Sequence, residues 1–199
     1  MIIVGLTGSI GMGKTTIAQM FQKLGVPIWN ADDAVHKLYE GGPAVAQISS
    51  VFEDVIDAGG RVNRQKLAHQ VLDDKEKLKI LQNIIHPMVA ADRQEFLEAA
   101  RTNNAPYVIL DIPLLFETNS HKAMDKIIVV SCPLEIQKRR VLARENMTLE
   151  KFEQILANQI PSETKAKQAD FVIDTSSSLL DSKTQVLELH QNLMELSKS

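Results

Sequence analysis

The stretch Ile2-Ile3-Val4-Gly5-Leu6-Thr7-Gly8-Ser9-Ile10-Gly11-Met12-Gly13-Lys14-Thr15 decides the fold. Its first three residues are β-branched and continuous, the pattern of a strand buried on both faces. Gly8 to Thr15 then fits G-x-x-x-x-G-K-[ST] in full. The glycines let backbone N–H groups turn toward phosphate oxygens with no Cβ in the way. From Thr15 to Leu24 the residues Ile17, Met20, Phe21 and Leu24 recur at helical spacing, and Gly25 stops the helix. The start of that helix aims its positive dipole end at the same anion. Lys14 can reach the β- and γ-phosphates, and the Thr15 hydroxyl can coordinate Mg²⁺. A buried strand before the pattern and an amphipathic helix after it separate this loop from a chance match.

Working outward, Val26-Pro27-Ile28-Trp29 reads as a short second strand, and Asn30–Tyr39 as a helix ending at Gly41-Gly42. Asn63 can cap Arg64–Leu72. Asp73 or Asp74 can cap a helix carrying Leu78, Leu81, Ile84 and Ile85. His86-Pro87 is expected to interrupt it, because the residue before proline avoids the helical region. A long helix then runs to about Arg101. Tyr107–Leu110 and Ile127–Val130 are the next strands, and Pro133–Arg144 the next helix. Thr148 can cap another helix through Gln159. Phe171–Ile173 and Leu179–Leu196 are the last strand and helix. Strands alternating with helices predict an α/β fold with a parallel sheet covered on both faces. The helical block at about 33–100 is too large for a plain crossover and reads as an inserted subdomain.

Composition narrows the function. The chain has 199 residues, of which 44% are hydrophobic and 24% charged, so one globular domain with a sizeable core is expected. The net charge of −3 argues against a general nucleic-acid binder, which usually carries a basic excess. The single cysteine, Cys132, permits no intrachain disulfide and reads as a small buried apolar residue. Met1–Leu6 lacks a basic flank and is too short for a signal peptide. No run approaches the ~20 apolar residues of a membrane helix. The expected location is therefore cytoplasmic, with no membrane, no nucleic acid and no obligate protein partner evident.

A phosphate loop alone does not separate kinase, switch and motor. The guanine motif N-K-x-D is absent, and Asp57-Ala58-Gly59-Gly60 is good turn chemistry. A small-molecule kinase needs a base near the acceptor hydroxyl and cations around the transferred group. Asp32 and Asp33 follow the second strand, at the end of the sheet where ligands gather. One can cap the helix and one can act on an alcohol. Arg140 and Arg144 are four apart on a basic helix that also carries Lys138 and Arg139, and together they suit an arginine-bearing lid. Asp111 ends the third strand, where it can be a metal-site acid or a cap.

These residues resemble the dephospho-coenzyme A kinase family over nearly the whole chain. The resemblance rests on Gly5-Leu6-Thr7-Gly8 with the phosphate loop, Leu24-Gly25, Ala31-Asp32, Asn63-Arg64 with Leu67, and His86-Pro87. It continues through Pro113-Leu114-Leu115-Phe116-Glu117, Gln137 with Arg140 and Arg144, and Gln159 with Ala169-Asp170. It implies a five-stranded parallel nucleotide-kinase-like sheet in a single domain over 1–199. The core would be about 1–32, 105–140 and 168–199, the helical acceptor-binding insertion about 33–100, and the lid about 141–167. It implies ATP-dependent phosphorylation of the ribose 3′-hydroxyl of dephospho-coenzyme A, with Mg²⁺. Catalysis would fall to Asp32, Lys14 and Arg140. ATP would be held by Gly8, Gly11, Met12, Gly13, Lys14, Thr15, Thr16 and Arg144. The acceptor would meet Asp32, Arg64, His86, Leu114, Leu115 and Glu117, and Mg²⁺ would meet Thr15, with Asp111 a further candidate. Three departures stand out. Asn30 replaces a usual aspartate, and Met12 and Thr15 replace commoner serines. Thr175 and Ser177 stand where asparagine and glycine are common. Position 12 is expected to contribute mainly backbone.

Overall fold

A computed structural model describes residues 1–198. The chain forms two compact units, Met1–Trp29 with the chain from Ala100 onward, and Asn30–Ala99.

The first unit is built on β1 (Ile2–Thr7), α1 (Lys14–Lys23) and β2 (Ile28–Asn30), whose last residue begins the second unit. The second unit holds α2 (Ala31–Glu40), α3 (Pro43–Ser49), α4 (Arg64–Val71) and most of α5 (Lys75–Thr102). The first unit resumes with β3 (Tyr107–Asp111), a 3-10 turn at Ser120–Ala123, β4 (Lys126–Ser131) and α6 (Leu134–Leu142). It ends with α7 (Leu149–Ala157), α8 (Ser162–Lys167), β5 (Phe171–Asp174) and α9 (Leu179–Leu196). The strand order is β2-β3-β1-β4-β5. β1 pairs in parallel with both β3 and β4, and β4 pairs in parallel with β5. The chain thus leaves β1 toward one edge and returns to fill the other, and the turn after β1 sits at the switch point where such sheets bind ligands.

β3 is buried along its whole length, as its run Tyr107-Val108-Ile109-Leu110 requires of a central parallel strand. Ile17, Ala18 and Phe21 of α1 pack with Val4, Leu6, Ile128, Ile173 and Leu193 into the core of this unit. The second unit has its own core, around Ile48, Phe52, Val55, Leu67, Leu81 and Ile85. No helix among the described residues is long and apolar enough to cross a membrane.

Two expectations need correction. His86-Pro87 does not break the helix, since α5 runs unbroken through Pro87. Proline removes one ladder bond, to the carbonyl of Asn83. Asn83 and Pro87 both lie on the exposed face, so water can take that carbonyl. The helix expected to reach Arg144 stops at Leu142, and Arg144 follows the cap residue Ala143. Asp57 behaves as turn chemistry predicts: its Oδ1 accepts the N–H groups of Gly59 and Arg61.

Candidate active site

The loop between β1 and α1 is held open by its glycines. Gly11 and Gly13 have φ of 77° and 90°, a region that side chains rarely adopt. A Cβ on Gly11 would also collide with the Val141 side chain. Gly13 serves as the N-cap of α1 with no side-chain cap, so the first N–H groups of the helix stay available to an anion. Lys14 opens α1, and its ammonium pairs with Asp111, which ends β3 and is almost fully buried. Thr15 and Thr16 are exposed in the first turn. The first residue of α1 and the acid that ends β3 are thus brought together.

Met12 does more than supply backbone. Its side chain is buried, and Sδ accepts the Cys132 N–H at 3.1 Å with Cys132 Sγ 3.4 Å away. Burial pushes the Cys132 thiol above its ordinary range, against the pull of Arg140. A thioether fills this gap between the loop and the end of β4, which a serine would leave underpacked.

Thr175, at the end of β5, is a hub. Its hydroxyl donates to Met12 O at 2.8 Å and accepts from Arg140 Nη1 at 3.0 Å, while Arg140 Nη2 donates to Thr175 O at 2.6 Å. Arg140 is therefore fixed at two points beside the phosphate loop. Arg144 is exposed. Both arginines line one cavity of about 300 Å³, with Gly11, Gly13, Thr16 and Leu179 among its other walls. A hydroxyl that both donates and accepts in this way should not tolerate an isostere without oxygen. Thr175→Val should cost about 1–3 kcal/mol of stability by stranding Met12 O and one Arg140 donor, and Thr175→Ser should recover most of it. Denaturant unfolding of both variants measures this.

Two glutamines clamp the Ile10 peptide. Gln137 Nε2 donates to Ile10 O at 2.7 Å, and Ile10 N–H donates to Gln159 Oε1 at 3.3 Å. Gln159 lies just beyond α7, so the segment expected to be a lid touches the loop directly. Pro-Leu-Leu-Phe-Glu follows β3. Leu114 is exposed and Leu115 is fully buried. Glu117 Oε1 accepts the Ile160 N–H at 2.9 Å and pairs with Lys165 at 2.7 Å. Burial would raise the Glu117 carboxyl, but Lys165 and the neighbouring amides outweigh it and hold the group below the ordinary carboxylate range.

In the second unit, Asp32 and Asp33 occupy the first turn of α2. The cap is Asn30, whose side chain accepts the Asp33 N–H at 3.0 Å, so neither aspartate caps the helix. Arg64 opens α4 and His86 sits within α5. Asp32, Arg64 and His86 are all exposed.

A family model for dephospho-CoA kinase matches residues 2–181. A dephospho-CoA kinase from Rhodopseudomonas palustris is 46% identical over 189 residues, covering 95% of this chain and 94% of that protein. The chain belongs to the dephospho-CoA kinase family. Solved structures agree with the family's fold. The crystal structure of TT1252 from Thermus thermophilus superposes with a TM-score of 0.83 at 32% identity, and 96% of each chain is covered. The dephospho-CoA kinase from Campylobacter jejuni gives 0.70 at 26% identity, again with 96% of each chain covered. The glycine-rich loop and the start of α1 were legible in the sequence. The hub at Thr175 and the buried Lys165 were not. Lys165 stands in the run Glu163-Thr164-Lys165-Ala166-Lys167, which reads as a solvated face.

Proposed function

We propose that the chain transfers the γ-phosphoryl group of ATP to the ribose 3′-hydroxyl of dephospho-coenzyme A, giving coenzyme A and ADP in the last step of coenzyme A synthesis. The observation that carries this reading is the cavity bounded by the phosphate loop, Arg140 and Arg144, in a chain whose family match spans nearly its full length. The amides of Gly8–Thr16 cradle the phosphates. Lys14 leaves Asp111 for the β- and γ-phosphate oxygens, which compete for the same ammonium. Arg140 and Arg144 offset charge on the transferring group. Asp32 orients the acceptor hydroxyl and takes its proton. Arg64, His86, Leu114 and Leu115 are the remaining residues we assign to the acceptor.

Mg²⁺ bound with a nucleotide takes most of its ligands from phosphates and water and needs only one or two protein oxygens. The exposed Thr15 hydroxyl and the Asp111 carboxylate are that kind of donor set. When bound, the ion neutralises charge across the β- and γ-phosphates.

Measuring ADP release with and without dephospho-coenzyme A tests the proposal. Release that depends on that acceptor supports it. Slow acceptor-independent hydrolysis, or turnover only with nucleosides or nucleotides, overturns it. The two arginines should also behave as one unit, because they face one cavity. A double-mutant cycle of Arg140→Ala and Arg144→Ala on kcat/KM should be clearly non-additive, and strict additivity would make them independent surface groups.

A further inference from the structure

Lys165 is a lysine with no exposed surface, on the short helix α8. Its ammonium lies 2.7 Å from Glu117 Oε1, and among the described residues it makes no further hydrogen bond. Glu117 Oε2 is also buried with no partner of its own. Taking two charges out of water costs several kcal/mol per ion, and such pairs are often no more stable than well-packed apolar side chains. Stability is therefore a weak explanation of this pair. Geometry is a better one. Glu117 belongs to the segment after β3, whereas Lys165 and Ile160 belong to the α7–α8 region. One oxygen, Glu117 Oε1, collects both the ammonium and the Ile160 N–H. The residue before Ile160 is Gln159, whose side chain takes the Ile10 N–H of the phosphate loop. The same corner forms, with Ser9, Met12 and Gln137, the wall of a cavity of about 460 Å³.

We propose that Lys165 and Glu117 are positioning residues that anchor the Gln159–Ile160 corner and thereby hold the Ile10 peptide of the phosphate loop in register. Lys165 fixes the rotamer of Glu117, Glu117 fixes Ile160, and Gln159 carries the constraint to the loop. In this role neither charge needs to touch substrate. The family resemblance implies Glu117 as an acceptor-binding group, but its bonded oxygen is used within the protein. This inference builds on the phosphoryl-transfer reading, because its kinetic arm needs that reaction.

Single substitutions strand a buried charge and can unfold the protein, so paired neutral variants carry the test. E117Q/K165M removes both charges but keeps a carbonyl oxygen for the Ile160 N–H. E117L/K165M removes both charges and that acceptor. At matched Tm, the second should have a kcat about tenfold below the first, since misplacing a reacting geometry by ~1 Å can cost about a hundredfold. Amide hydrogen exchange across Gly8–Gly13 should rise in E117L/K165M and in Gln159→Leu, with exchange in α9 unchanged. Equal kcat and equal loop exchange in the two double variants would overturn the anchor. A KM for dephospho-coenzyme A raised equally in both would return Glu117 to acceptor binding and also overturn it. The exchange arm reads the loop without any acceptor. A wild-type protein that fails to turn over dephospho-coenzyme A would sink the functional reading and leave this arm intact.

Discussion

Lys14→Ala should lose phosphoryl transfer by roughly 10²–10³-fold in kcat, the loss typical when one charge-stabilising donor is removed from a transition state. The loop amides and the α1 N-terminus remain, so nucleotide should still bind, though more weakly. The structure adds a stability cost that the motif does not reveal. Lys14 pairs with Asp111, which is only 2% exposed, and removing one member of a buried pair typically costs about 3–5 kcal/mol. Lys14→Ala/Asp111→Asn relieves that stranded charge. The double variant should therefore melt higher than Lys14→Ala and remain as inactive. Turnover near wild type in either variant would refute the phosphate-loop assignment. Recovery of activity together with recovery of Tm would show that Lys14 acts only through folding.

The part of this site that could be read from sequence is the part made by neighbours along the chain. The phosphate loop needs a strand, glycines and a helix start in order, and local pattern carries all three. The five strands and the last helix follow from hydrophobic runs and caps for the same reason. What escaped the reading depends on partners far away in the chain. Met12 and Cys132 are 120 residues apart, and Thr175 meets Met12 across 163. A methionine in a loop gives no sign that a β-strand end will receive its sulfur. A lysine among other charges gives no sign that Glu117 will draw it inside. The helix through Pro87 failed as a reading for a different reason. The local preference of the residue before proline carries no information on whether the freed carbonyl lies on an exposed face. Asn30 is the converse case. It departs from the family pattern, yet its cap geometry was available from residue type alone, and its presence releases the two aspartates that follow.

That release sharpens the test of Asp32. A ribose hydroxyl is a weak nucleophile that ionises far above neutrality, so a carboxylate that takes its proton matters most at the transition state. Asp32→Asn keeps the shape and removes the basicity and the charge. General-base catalysis contributes ~10²–10⁴-fold, and kcat should fall by about that factor. KM for ATP should change far less, because Lys14 and the loop amides are untouched. A purely structural role for Asp32 predicts something else. On that view Asp32 contributes a negative charge in the first turn of α2, worth about 0.3–1 kcal/mol against the helix dipole, and the cap itself is Asn30. Asp33 shares that first turn, so Asp33→Asn loses a similar dipole interaction and serves as the matched control. The two variants should show similar small drops in Tm, with kcat collapsing only in Asp32→Asn. Equal kcat in both would reduce Asp32 to a helix-end charge, and a collapse in Asp33→Asn at normal Tm would move the base one residue along the helix.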